Sequence, residues 1–486
     1  MTSIPIVNPF LTWWKRRLRG ERLPRQRDLH SLWLERARLA QRFQTAPAAW
    51  RLLELLGPLH WAEFPNRNLE RNWGQPTVSY AAVAAAGLVQ LNERLVSMRL
   101  LREYLCEHPV LVWLLGFPLV PAPALPWGID PDASLPTARH LTHLLRTLPN
   151  AALQYLLADS VALICAELHA RGVVSIGECI SLDTKHILAW VKENNPKAYV
   201  EERYNKAKQP AGDPDCRLGC KRRRNQGTPP TPTRNPLPAS HLKRGEFYWG
   251  YGSGVVVVKV PAWGEFVVAE LTQPFDRSDI SYFFPLMLPT EARLGFRPRW
   301  GTFDAAFDAF YVYAHFYRAD DPQAFAAVPF SAKGGYQVGD RQFSPEGFPL
   351  CKAGLAMPPK FTYIDRTATL IEHERAKYSC PLQTAPPAAG CPVHDPRWEK
   401  GGCTSTMPTS VGARIRYQLD RDGAAYKAIY KQRTATERIN SQAVNLGIER
   451  PRLRNQQAIT NRNTLIYLLI NLRLLQRIRQ RPLEQS

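Results

Sequence analysis

Near its C-terminus the chain reads "YKQRTATERIN", in which a single carboxylate, Glu437, stands among Lys431, Arg433 and Arg438. Tyr430, Arg433 and Glu437 recur at i, i+3 and i+7, a spacing that puts three side chains on one helix face. Such a face is either a solvated salt-bridge surface or one side of a site completed by distant partners. Two further acids are candidates for those partners. Asp183 follows the β-branched stretch "VVSIGECISL", and Asp304 follows "RWGTF" in "RWGTFDAAFDAF". Acids at the C-terminal ends of strands in an α/β sheet converge on one crevice. Three converging carboxylates repel one another unless a cation lies between them, and Mg2+ takes oxygen ligands of this kind. Two such ions, ~3.5–4 Å apart, activate an attacking oxygen and stabilise a leaving one in phosphoryl transfer. Arg433 would then grip a phosphate with its planar fork, Tyr430 would stack or hydrogen-bond beside it, and Arg438 adds a cation. Taken singly, each acid also reads as an ordinary surface or capping residue. Asp308, one helical turn after Asp304, is a rival second acid.

The elements that must position these residues follow from periodicity. After "VVSIGECISLDTKHI", "GVVVVKV" and "EFVVAELTQPF" read as strands joined by a turn around "PAWG", which makes a hairpin. "DISYFFPLMLPTEARLG" is helical, "RWGTFDAAFDAFYVYAHFY" is a short strand and a helix, and "AFAAVPF" is another strand. The last elements, including "AAYKAIYKQRTATERINSQAV", are helices. This order predicts an α/β fold, a mixed sheet flanked by helices. Residues 1–45 form a basic segment with Trp13, Trp14 and Trp33, either a DNA-contacting arm or an arm packed on the protein. Residues 46–172 read as a helical N-terminal domain, since "VSYAAVAAAGLVQLNERLVSMRLLREYL" and "ALQYLLADSVALICAEL" repeat apolar residues at helical spacing, and it is expected to bind DNA through a helix in the major groove. Residues 173–335 hold the first part of the sheet domain. Within it, 190–243 reads as a mobile loop, on the prolines and charge of "CKRRRNQGTPPTPTRNPLP". Residues 336–414 form a Cys-bearing insertion, and 415–486 supply C-terminal helices.

The chain carries 63 Lys and Arg against 42 Asp and Glu, a net charge of +21. A protein this basic meets a polyanion, with nucleic acid as the first expectation and a membrane surface as its rival. The N-terminus lacks the uninterrupted apolar run of a secretory signal. The uncharged stretch Val110–Trp127 contains four prolines that forbid a membrane-spanning helix. Nine cysteines without tight spacing point to reduced thiols in a cytoplasm. Cys351, Cys380, Cys391 and Cys403, with His394, leave open a structural Zn2+ or plain thiols.

These pieces together resemble the DDE transposases of bacterial insertion sequences. "SIGECISLDTKHI" is similar to the family's first strand, "GTFDAAFDAF" to its second motif, and "YKQRTATERINSQAV" to its Tyr-x2-Arg-x3-Glu-x6-Lys signature. The helical stretch from "VSYAAVAAAG" to "VLVWLLGFP" is similar to its N-terminal helical domain. The resemblance covers most of the chain. It implies an RNase H-like catalytic domain with Asp183, Asp304 and Glu437 as catalytic and metal-holding acids. It further implies a two-ion Mg2+ site with Mn2+ as a substitute, and Tyr430, Arg433 and Arg438 at DNA phosphates. The implied partners are double-stranded DNA, both the terminal inverted repeats and the target, and a second copy of the chain in the DNA complex. No membrane is involved, and the implied location is the bacterial cytoplasm, at the nucleoid. The implied reaction is Mg-dependent strand cleavage followed by joining of the 3′-OH to target DNA. The chain departs from the pattern at Val444, where the signature has Lys, and at Phe307, where Tyr is commoner. Two alternatives remain: a nuclease of the same fold that cuts without joining, and a non-catalytic DNA-binding protein derived from a transposase.

Overall fold

The computed structural model describes residues 28–39, 46–69, 77–125, 127–221, 246–331, 339, 341–366, 370–383 and 390–482. Its centre is a mixed sheet with six strands among these residues. They are β1 Cys179–Leu188, β2 Arg217–Lys221, β3 Glu246–Val260, β4 Gly264–Pro274, β5 Trp300–Thr302 and β6 Phe325–Ala327. The long strand β3 pairs antiparallel with β1 on one side. On its other side it pairs antiparallel with β2 near its start and with β4 along the rest. β5 runs parallel to β1, and β6 parallel to β5. The mixed α/β architecture and the hairpin through Pro261–Gly264 match the sequence reading.

The valine run of β3 shows why the sheet is covered on both faces. A two-residue period sends successive side chains to opposite faces. Val256 and Val258 enter a core with Tyr282, Phe283 and Leu286. Val255 and Val257 enter another with Ala435, Ile439 and Ile466. A continuous apolar run in a strand is the expected mark of burial on both faces. The first core is closed by α8, Phe283–Leu294, and α9, Phe310–Phe316. The second is closed by the C-terminal helices.

Among the described residues seven helices of six residues or more precede the sheet: α1 Leu29–Leu34, α2 Pro47–Leu56, α3 Tyr80–Asn92, α4 Met98–Glu107, α5 Pro109–Leu114, α6 Ala138–Thr147 and α7 Asn150–His169. After α9 come α10 Val411–Gln418, α11 Ala424–Tyr430, α12 Thr434–Asn445 and α13 Gln456–Gln480. The helical region over 46–172 shares its core with the sheet, because α13 runs between them and buries side chains against both. α7 is long and apolar enough to cross a membrane by length and composition; here it lies along α13.

Two segments differ from the sequence reading. The stretch 190–243 was expected to be a mobile loop. Its described part adds the strand β2 to the sheet, because "RLGCK" finds the free edge at the start of β3; residues 222–243 lie outside the described residues. The insertion, read from the sequence only as Cys-bearing, contains a three-stranded antiparallel sheet of β7 Pro359–Asp365, β8 His373–Ser379 and β9 Thr404–Pro408, in the order β9-β8-β7. It is fastened through α10. Gly412 lies so near α9 that an added Cβ would stand 1.9 Å from the Phe310 carbonyl oxygen.

α13 is polar where a core helix is usually apolar: Asn461, Asn463, Thr464 and Asn471 are wholly buried. The Asn471 amide accepts from the Val267 N–H and donates to the Val267 carbonyl and to Ser160, each at 2.8–3.0 Å. It thereby satisfies β4 at the bulge where its register with β3 shifts. Beside it, Glu270 is buried and accepts from Thr464 and Gln154. Its other carboxylate oxygen has no partner among the described residues. Burial pushes the Glu270 carboxyl up to about 7, against the hydrogen bond from Thr464 and the nearby Arg293. The folded state then binds a proton that the unfolded state has lost, so stability falls as pH rises from about 4.5 to about 7. Glu270→Gln should flatten that fall, stabilising the protein at pH 8 by up to about 3 kcal/mol and little at pH 5. Urea unfolding at the two pH values checks it, and parallel profiles for both proteins would refute it.

Candidate functional site

The site begins with a register. The parallel pairing of β1 and β5 ends at Ser181 opposite Thr302. The Thr302 hydroxyl donates to Ser181 at 2.8 Å, and Ser181 donates to the Gln432 carbonyl at 3.1 Å. Asp183 and Asp304 each lie two residues beyond this pair. The same offset beyond neighbouring parallel strands brings Asp304 near enough for its charge to act on Asp183. Asp183 was expected at the end of its strand. It lies instead within β1, which continues to Leu188 because β3 still pairs with it after β5 has stopped.

The Asp183 carboxyl is pushed up to about 6. Burial is the largest cause, and the negative charges of Asp304 and Asp279 add to it. The Thr184 N–H, which donates to Asp183 at 2.9 Å, and the Arg433 guanidinium oppose it. Asp304 caps the 3₁₀ turn Ala305–Phe307, accepting from the Ala306 N–H at 2.8 Å. Arg433 lies 3.6 Å from Asp183 and 2.5 Å from Glu437. One guanidinium therefore joins two of the three expected acids, and the third acid acts electrostatically on the first. The Glu437 side chain is 54% exposed.

The helix bearing the signature is not continuous. α11 ends at Tyr430, a 3₁₀ turn covers Lys431–Arg433, and α12 begins at Thr434. All these residues keep right-handed helical dihedrals. The tighter turn is the one whose Gln432 carbonyl is held by Ser181. Arg433 and Glu437 keep their i, i+4 relation. Tyr430 stacks on Tyr426 with ring centroids 5.6 Å apart. Arg438, expected at a phosphate, pairs with Glu265 of β4 at 2.6 Å.

Asp308 has a different role from its neighbour Asp304. Its side chain is wholly buried. It accepts from Arg416 through both oxygens, at 2.9 and 2.6 Å, from the Tyr313 hydroxyl and from the Ser331 N–H. Sequence reasoning missed Asp279, which accepts from the Thr184 hydroxyl at 2.8 Å and raises the Asp183 carboxyl. Its only mark in the sequence is that of an acid opening a helix.

In the insertion, Cys403 lies beside Cys380 and near Cys351 and Asp395; burial first, then these neighbours, push its thiol up to about 12. Cys391 is buried. Among the described residues no three His, Cys, Asp or Glu side chains are gathered as a metal ion requires. Trp13 and Trp14 lie outside the described residues. Trp33 is packed on the protein, with Arg479 5.0 Å over its ring. No family model matches the chain, and no curated protein is significantly similar to it.

Asp308→Ala should lower stability by about 3–5 kcal/mol, because it leaves Arg416 as a half-buried unpaired charge. Asp304→Ala should cost no more than about 1 kcal/mol, the value of a capping bond. Urea unfolding of both variants checks this, and equal losses would erase the division of roles.

Proposed function

We propose that the protein is a DDE-type transposase with an RNase H-like catalytic domain, acting on the terminal inverted repeats of an insertion sequence. The observation that carries this reading is the equal offset of Asp183 and Asp304 beyond the Ser181–Thr302 pair, with Arg433 linking Asp183 to Glu437. The sheet agrees with it: β3 pairs antiparallel with β1 and turns back into β4, and two short strands run parallel to β1.

With Arg433 between them the three acids are not gathered as a metal site, but their donor set suits Mg2+ or Mn2+. It is all oxygen, and the burial and mutual repulsion that raise the Asp183 carboxyl are what a divalent cation would relieve. Asp183, Asp304 and Glu437 would hold such ions, which when bound activate an attacking oxygen and stabilise a leaving one. Arg433, released from the two acids, grips a phosphate through two N–H donors and orients it. Water attacks the phosphorus and the P–O3′ bond breaks, leaving a 3′-OH. That hydroxyl attacks a phosphorus of target DNA, forming a new P–O bond as the target's P–O3′ bond breaks. The net charge of +21 supplies further phosphate contacts. Two copies of the chain would hold two element ends, at the nucleoid of a bacterial cytoplasm.

One observation favours a second reading, a DNA-binding protein without catalysis: Arg433 already pairs with two of the acids. Cleavage separates the two readings, and strand-transfer products separate a transposase from a nuclease. Asp183→Asn should abolish metal-dependent cleavage of duplexes carrying the element ends while DNA affinity stays within about twofold, since the acid holds metal and not DNA. Wild-type rates in this variant would end its catalytic role. Arg433→Lys should slow single-turnover cleavage at saturating DNA at least about tenfold, roughly 1.4 kcal/mol in the transition state. Equal rates would return Arg433 to a solvated helix face.

A further inference from the structure

In the insertion sheet β8 and β9 have one packed face and one open face, and the edge strand β7 is exposed on both. Ala376, Tyr378 and Met407 point to the packed side, where they bury against Met357 and Ala413. The cross-strand register puts a different set on the other side. Phe361 stands opposite Lys377, and Tyr363 opposite Arg375. Thr406 and Pro408 of β9 continue the same rows. Phe361 is 49% and Tyr363 41% exposed, with ring centroids 6.2 Å apart. Lys377 Nζ lies 5.9 Å over the Phe361 ring. Asp365, the acid at the end of β7, is buried and pairs with Arg375 at 2.9 Å. Lys360 and Arg366 flank the aromatic pair in sequence. At the far end, His373 of β8 stacks with Phe310 of α9 at 4.6 Å, which ties this sheet to the helix that follows Asp304.

We propose that this open face, built on Phe361, Tyr363 and Lys377, is a stacking platform for an unpaired DNA strand. Aromatic side chains normally bury most of their surface, yet these two hold a half-exposed row on a rigid strand. Proteins that bind single strands combine such rings, on which bases stack, with cations that follow the backbone. Alternation along β7 offers one ring to each of two successive bases. Lys377 beside the Phe361 ring, in a chain of net charge +21, suits a polyanion. That the strand is DNA rests on the proposed function; the platform's chemistry does not.

The test is fluorescence anisotropy of a fluorescein-labelled oligo(dT) with the full chain in EDTA, where no metal-dependent cleavage proceeds. Phe361→Ala combined with Tyr363→Ala should weaken binding at least tenfold, since both rings that take a stacked base are removed. Phe361→Tyr combined with Tyr363→Phe should stay within about twofold of wild type. Ultraviolet cross-linking of a bromodeoxyuridine oligonucleotide should place adducts on Phe361 or Tyr363. Unchanged affinity in the double alanine variant, or adducts only elsewhere, overturns the proposal. So does a wild-type chain with no affinity for oligo(dT), which would leave the face to a protein partner. A chain that binds oligo(dT) through these rings but never cleaves duplex ends would overturn the transposase reading and keep the platform.

Discussion

The candidate site depends on one pairing, three residues long, between β1 and β5. A parallel ladder fixes which residues stand abreast, and a slip of one position would turn every side chain beyond it to the other face. The hydroxyl bond between Ser181 and Thr302 falls at the last pair, where the ladder is weakest against fraying. The bond from Ser181 to the Gln432 carbonyl then carries the same register into the C-terminal helices. Strand, strand and helix are thus indexed to one serine. The acids they carry come from three distant parts of the chain.

Around that index the electrostatics are deliberately unbalanced. Asp183 has two acidic neighbours and one basic one, and its carboxyl is raised despite Arg433. Asp308, four residues after Asp304, shows the opposite treatment: four bonds satisfy it completely, and it organises the packing of α9, α10 and the strand that follows. Two acids within one turn can therefore differ as sharply as a buried structural pin and a half-buried cap. The difference comes from what the fold brings to each.

Much of this was legible in the sequence and some was not. The four-valine run and the "PAWG" turn marked the hairpin, because strand period and turn chemistry are local. The acids at the sheet were marked by the apolar stretches before them. Asp279 was invisible, because its closeness to Asp183 comes from the path of the chain after β4. The extent of β1 past Asp183 was missed, since the strand that prolongs it, β3, lies some seventy residues on. The prolines and charge around residue 225 coloured the whole of 190–243 and hid β2, a short strand that exists only because β3 presents an edge. The insertion hid its sheet because β7 is exposed along most of its length and lacks the usual alternation. The pairing of Arg438 with Glu265 likewise depends on tertiary placement alone.

The placement of α13 sets the order in which the molecule can be made. Asn461 donates to the carbonyls of Leu145 and Leu148, more than 300 residues earlier in the chain. Leu465, Ile466, Leu468 and Leu469 complete the core of α3, α6 and α7. The helices around Leu145 thus wait for one made more than 300 residues later. Contacts of such long range must close their loops before any of their free energy is returned. Until then the apolar faces of the N-terminal helices stand open to water and to one another. Folding during synthesis cannot proceed half by half, and a chain interrupted before residue 456 would present those faces to the cell's chaperones and proteases.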